Sequence, residues 1–206
     1  MPRTHSRLNR RQLIMIAGVT IFVSVSGCTT SQVFSPTDQL QIPLPTGVLD
    51  SSNPAVGVSL IPESNREPLS ELTGITLDGN EFTIQPSESS ATVINSWASW
   101  CAPCRTELPE FSAAAVNPEF SNVAFVGLNV RDDQTAALAF AENLEFPSVK
   151  DTDGELLAQI PGVPPQALPS TVILDKQGRI AARIIGPVPP GELAGIIRWV
   201  LSNESS

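Results

Sequence analysis

The sequence predicts an α/β domain: a mixed central sheet with helices on both faces, an N-terminal β-hairpin and a βα insertion. Three observations predict it. Continuous apolar runs rich in β-branched residues, "ATVINSWAS" and "NVAFVGLNV", alternate with segments of helical periodicity, as in a sheet covered on both faces. "STVILD" and "RIAARIIG", joined by "KQG", form an antiparallel hairpin before the last helix, so the sheet is mixed. "GITLDGNEFTI" carries two β-prone runs around Asp78-Gly79-Asn80, a hairpin signal.

The elements follow in order. After that hairpin comes the strand "ATVINSWAS". "APCRTELPEFSAAAV" has helical periodicity, with Pro103 in the first turn, where proline costs little, and Pro109 inside, where it should kink the helix. "NVAFVGLNV" is the next strand. Asp132 or Asp133 caps the helix "QTAALAFAENL". "FPSVKDTDGELLAQI" reads as a short strand, a turn and a short helix, the insertion around residues 146–160. Pro189 and Pro190 open the last helix, with Leu193, Ile196, Ile197 and Val200 on one face.

The 206 residues divide into residues 1–27, 28–68 and 69–206. Arg3, Arg7, Arg10 and Arg11 precede the apolar run Leu13–Val25, too short to span a bilayer comfortably and typical of an export signal. "VSGC" follows, ending at Cys28. It resembles the lipobox of bacterial lipoproteins, in which cleavage precedes a cysteine whose sulfur carries a diacylglyceryl group. A plain signal anchor, or a cleaved signal with Cys28 as a bystander, are the other readings. Residues 28–68 are rich in Ser, Thr, Pro, Asn and Asp and read as a mostly disordered tether, with "QIPLP" and "VGVSLIP" able to dock on the folded domain.

The formal net charge of −9 argues against a nucleic-acid binder. Removal of residues 1–27 takes four arginines and no acid, leaving 8 basic and 21 acidic side chains, a formal −13. Such a surface repels anionic headgroups, so the lipid rather than charge would hold the protein at the membrane.

Three cysteines remain to be explained. With Cys28 a thioether, Cys101 and Cys104 are left to pair with each other. A two-residue loop gains little as a staple. Zinc needs about four ligands, and the sole histidine, His5, lies in the signal. A haem anchor needs histidine after the second cysteine, and position 105 is Arg. The expectation is no metal and no cofactor beyond a redox-active disulfide. Cys101 at the start of a helix meets unpaired N–H groups and the macrodipole, which favour a thiolate. Cys104 lies one turn on, on the same face. An exposed nucleophile and a shielded resolving thiol suit disulfide exchange.

"SWASWCAPC" resembles the active-site stretch of the thioredoxin superfamily. "WASWCAPCRTELPEF", the hairpin "LTGITLDGNEFTI" and "LPSTVILDKQGRI" together resemble its TlpA/ResA-like branch over roughly Leu72 to Leu201. The resemblance implies a thioredoxin-like fold and a cis peptide bond at Leu168-Pro169. It places Pro169 against the cysteines and the residue 168 backbone ready to bond an incoming chain. It also implies that Glu107 tunes the pair; the competing reading is a solvated acid near a helix N-terminus. Asn95 stands where many relatives carry a proton-transferring aspartate and reads as a hydrogen-bonding core residue. Trp100 reads as docking surface, Trp97 as core or groove wall, Trp199 as packing and Arg105 as solvated.

The expected function is an extracytoplasmic, lipid-anchored thiol–disulfide oxidoreductase of a bacterial cell membrane, a reductase with protein thiols as substrates. The resemblance implies a transmembrane thiol-electron donor, a place in cytochrome c maturation and antioxidant activity. The alternatives are a disulfide oxidase using the same pair, a peroxiredoxin-like peroxide reductase, and a binding module with spectator cysteines.

Overall fold

In the computed structural model the chain divides into two units, Met1–Leu40 and Gln41–Ser206. The structure describes residues 57–84 and 89–203, all within the second. Cys28, the signal 1–27 and the tether up to residue 56 lie outside the described residues.

The strands are β1 (Gly57–Leu60), β2 (Leu72–Ile75), β3 (Glu81–Ile84), β4 (Ala91–Trp97), β5 (Val123–Val130), β6 (Ser148–Asp151), β7 (Ser170–Asp175) and β8 (Ile180–Ile185). The helices are α1 (Ala102–Ala115), α2 (Gln134–Ala141), α3 (Glu155–Ala158) and α4 (Leu193–Ser202). Six strands form one sheet in the order β1-β8-β7-β4-β5-β6, and β2-β3 form a separate hairpin. β4 pairs parallel with β5 and antiparallel with β7, so the sheet is mixed, as the hairpin β7-β8 predicts.

All seven residues of β4 are buried, so it reads as an unbroken apolar run rather than an alternation. Val93 and Trp97 join the core cluster that includes Leu108 and Phe111 of α1, Ala137 of α2, and Leu193, Ile196, Ile197 and Val200 of α4. Ile94 joins the second cluster, with Leu72 and Ile84 of the hairpin and Leu157 of α3. The two clusters are the two faces of the sheet, as expected for a domain with period-2 strands between covering layers. The insertion is present as β6 and α3.

The domain begins earlier than residue 69. β1 pairs antiparallel with β8, Gly57 opposite Ile185 and Leu60 opposite Ala182. Arg66 is buried: its Nη1 meets Asp175 Oδ2 at 3.1 Å, with both side chains fully enclosed, and its Nε and Nη2 donate to the carbonyls of Ile61 and Asn203. Residues 57–68 therefore belong to the fold rather than to a tether. The prolines at 62 and 68 hide a four-residue edge strand, where a sheet tolerates nearby proline. The docking foreseen for "VGVSLIP" is this strand.

Candidate active site

The site is built on the C-terminal end of β4. Trp97 is fully buried, its Nε1 donating to Ser148 Oγ at 3.1 Å, its ring centroid 5.4 Å from that of Phe140. Gly127 on β5 leaves room for this bond: a Cβ there would lie 2.6 Å from Trp97 Nε1 and 2.3 Å from Ser148 Oγ. Trp97 is thus core.

The loop after Trp97 is held by the loop after β5. Asp132 accepts from Ser99 N at 2.5 Å, from Ser99 Oγ at 2.7 Å and from Asn129 Nδ2 at 2.9 Å. Trp100 Nε1 donates to the Arg131 carbonyl at 3.0 Å, while the Trp100 side chain stays 62% exposed. Arg131 has φ +50°, unusual for a residue with a Cβ. Its guanidinium ties two further loops, donating to the carbonyls of Asp153 at 3.2 Å and Pro165 at 2.8 Å. Of the two candidate caps for α2, Asp133 does the capping, accepting from Ala136 N. Asp132 serves the cysteine loop instead.

Cys101 is the N-cap of α1. Its Sγ accepts from Cys104 N at 3.3 Å, and the two sulfurs form a disulfide with Cα atoms 5.3 Å apart. A sulfur in the N-cap position faces the unpaired N–H groups of the first turn, where negative charge is favoured. The order of exposure is as expected, but the margin is small. Cys101 is 5% exposed and Cys104 fully buried, so Cys101 in the disulfide is enclosed rather than exposed.

Leu168-Pro169 is cis. Pro169 is buried, and Leu168 packs against both core clusters, the first of which contains Cys101 and Cys104. The start of β7 is fastened to β4 by Ser96, whose Oγ donates to the Ser170 carbonyl and accepts from Ser170 N, both at 3.0 Å. That register sets Pro169 one step beyond Ser170, beside the end of β4.

Glu107 is buried, which removes the solvated-acid reading. Its Oε1 accepts from Asn95 Nδ2 at 2.9 Å and its Oε2 from Val188 N at 2.8 Å. Burial pushes its pKa up to about 7; the bonds from Asn95 and Val188 oppose the rise, and the negative charge of Glu110 adds to it. Asn95 also donates to Thr171 Oγ1 at 3.0 Å, and its Oδ1 has no partner among the described residues. The core role read for Asn95 is thus a specific one: it holds the carboxyl one turn beyond Cys104. Ser99, Arg131, Thr171 and Val188 were not legible as site residues. Val188 contributes only a backbone amide, which leaves no mark in a sequence.

The AhpC/TSA family profile matches residues 66–183. The chain belongs to the AhpC/TSA family. It is 30% identical to sporulation thiol-disulfide oxidoreductase A of Bacillus subtilis (strain 168) over 123 residues, 57% of this chain and 72% of the relative. It is 26% identical to the thiol-disulfide oxidoreductase ResA of Bacillus thuringiensis (strain Al Hakam) over 126 residues, 60% of this chain and 71% of that one. Among solved structures it is similar to a secreted thiol-disulfide isomerase from Corynebacterium glutamicum, with TM-score 0.67, 27% identity, and cover of 76% of this chain and 98% of that one. This AhpC/TSA member is a thiol–disulfide oxidoreductase of the ResA type, with a thioredoxin-like fold.

Proposed function

We propose that the protein is a disulfide reductase working outside the cytoplasm, held at a bacterial membrane by a lipid on Cys28. Cys101, as thiolate, attacks one sulfur of a substrate disulfide. That S–S bond breaks, a Cys101–substrate disulfide forms, and the released sulfur takes a proton. Cys104 then loses its proton and attacks Cys101 Sγ, releasing the second substrate thiol and closing the Cys101–Cys104 disulfide. Two electrons pass to the substrate, and a transmembrane thiol donor restores the dithiol. Trp100 forms part of the docking face, and the Leu168 backbone beside Pro169 lines up the incoming chain. Cysteine-bearing apocytochromes c before haem attachment are the proposed substrates.

The observation that carries the reductase reading is the Glu107 carboxyl, buried one helical turn beyond Cys104 and bonded to Asn95 and the Val188 amide, with burial pushing its pKa up to about 7. Its ionised form opposes the thiolate that the α1 N-terminus favours. The dithiol is then not over-stabilised, as it is in a strong oxidant. With a pKa near neutrality, Glu107 is also suited to take the Cys104 proton in the second step. Equilibration of the pair against glutathione or dithiothreitol buffers tests the direction.

The export signal followed by "VSGC" supports the anchor and the location, and the secreted character of the Corynebacterium glutamicum neighbour supports the location alone. Mass spectrometry of the mature N-terminus should find residues 1–27 absent and Cys28 diacylated. A free Cys28 thiol, or an intact N-terminus, would refute the anchor.

A further inference from the structure

An open groove of about 320 Å³ runs between the first turns of α1 and the outer side of α2, lined by Ser99, Arg105, Ala136, Ala139 and Phe140. Two of its five lining residues flank the cysteine pair along the chain. Ser99 stands two residues before Cys101, Arg105 directly follows Cys104, and the Arg105 amide donates to the Cys101 carbonyl at 3.1 Å. Phe140 and the exposed Ala136 and Ala139 make its lining largely apolar.

Ser99 and Arg105 are the exceptions, and the Ser99 hydroxyl is already bound to Asp132, which leaves Arg105. Its Cζ lies 5.7 Å from the centroid of the Phe140 ring. Stacking on a ring limits where the guanidinium can go while using none of its five N–H donors. Among the described residues Arg105 forms no ion pair. The neighbouring Asp132 carboxylate is taken up by Ser99 and Asn129. A planar fork of donors at the mouth of an apolar groove matches a carboxylate on a short aliphatic stem.

We propose that this groove seats an acidic side chain of the substrate protein, adjacent to its reactive cysteine. A glutamate would lay its methylenes on Ala136, Ala139 and Phe140 and its carboxylate on Arg105. Arg105 is then a specificity-determining residue. The inference rests on the reading of the cysteine pair as a protein disulfide exchange site. The chain's net charge, −9 in full and −13 without residues 1–27, repels an acidic partner at long range, so the preference must come from this one close pair. At about 0.15 M salt the Debye length is about 8 Å, which screens the distant charges and leaves the pair.

The test uses the reduced full-length protein and disulfide-linked homodimers of a short peptide. The peptide has one cysteine, flanked in turn by glutamate, glutamine or lysine. In each reaction the protein dithiol becomes the Cys101–Cys104 disulfide and the peptide disulfide becomes two peptide thiols, so no other reductant is needed. Rates are compared as ratios among the three peptides, for wild type, Arg105→Gln and Arg105→Glu. Ratios within one protein cancel any change in the reactivity of its own thiols. Differences between proteins cancel the peptides' intrinsic reactivity. Wild type should favour glutamate over lysine by about three-fold or more relative to Arg105→Gln, and Arg105→Glu should reverse the order. Identical ratios in all three proteins would overturn the groove's assignment while leaving the exchange activity standing. A wild type that reduces none of the peptides would overturn both.

Discussion

The Cys104→Ser variant should lose at least about 1,000-fold in turnover with a protein disulfide while still attacking it, and should accumulate a mixed disulfide through Cys101. The reason is the one-turn spacing on α1. Cys104 sits within bonding reach of Cys101 Sγ, so the resolving step is intramolecular. Well-oriented intramolecular steps reach effective molarities of about 10⁵ M, far above any external thiol, and serine at 104 leaves only the external route. The Cys101→Ser variant should accumulate nothing. Non-reducing electrophoresis and mass mapping of the captured partner read both. Capture by Cys101→Ser with none by Cys104→Ser would exchange the two roles.

The Glu107→Gln variant should be more stable than wild type at pH 8 by up to about 3 kcal/mol, with the difference gone by pH 4. The sign follows from the raised pKa, about 7 in the fold against 4.5 for a free carboxyl. Below pH 4.5 both the folded and the unfolded chain carry the proton, and burial costs nothing that depends on pH. Between pH 4.5 and 7 the unfolded chain gives up its proton while the folded chain keeps it, so stability falls. Above pH 7 the whole penalty is present, about 3 kcal/mol for the 4.5-to-7 shift. Glutamine escapes it. Below pH 4 the two proteins match, because the protonated carboxyl, like glutamine, keeps a full acceptor for only one of the two bonds from Asn95 and Val188. Urea denaturation of the oxidised proteins across that pH range measures the difference. A difference that stays constant from pH 4 to pH 8 would show that Glu107 does not titrate in this window. In the reduced protein the same substitution should lower the pKa of the Cys101 titration and raise the potential, because a nearby negative charge is removed.

The parts of the site that lie close together in sequence were legible in it. Trp100, Cys101, Pro103 and Cys104 form one strand-to-helix junction, and the helix start alone argues for a thiolate there. The stripe Leu193, Ile196, Ile197 and Val200 likewise announced α4, and all four are buried. Long-range partners were not legible. Glu107 meets Asn95 twelve residues back and the Val188 amide 81 residues on, and no local pattern records either. The same holds for Arg66 and Asp175, a buried pair 109 residues apart that brings residues 57–68 into the domain. The choice between Asp132 and Asp133 stayed open in the sequence for a related reason. Two adjacent aspartates before a helix offer the same capping chemistry, and only the folded loop shows that Asp133 caps while Asp132 holds Ser99.

The reduction potential of the Cys101–Cys104 pair tests the central claim most directly. Helix N-terminus and Glu107 act in opposite directions on the thiolate, and the account has them nearly balanced. Equilibration of the full-length protein at pH 7 in dithiothreitol or glutathione buffers should give a value nearer thioredoxin's roughly −270 mV than the roughly −120 mV of a dedicated oxidant. A value above about −180 mV, where disulfide isomerases lie, would contradict the reductase assignment and favour an oxidase using the same two cysteines.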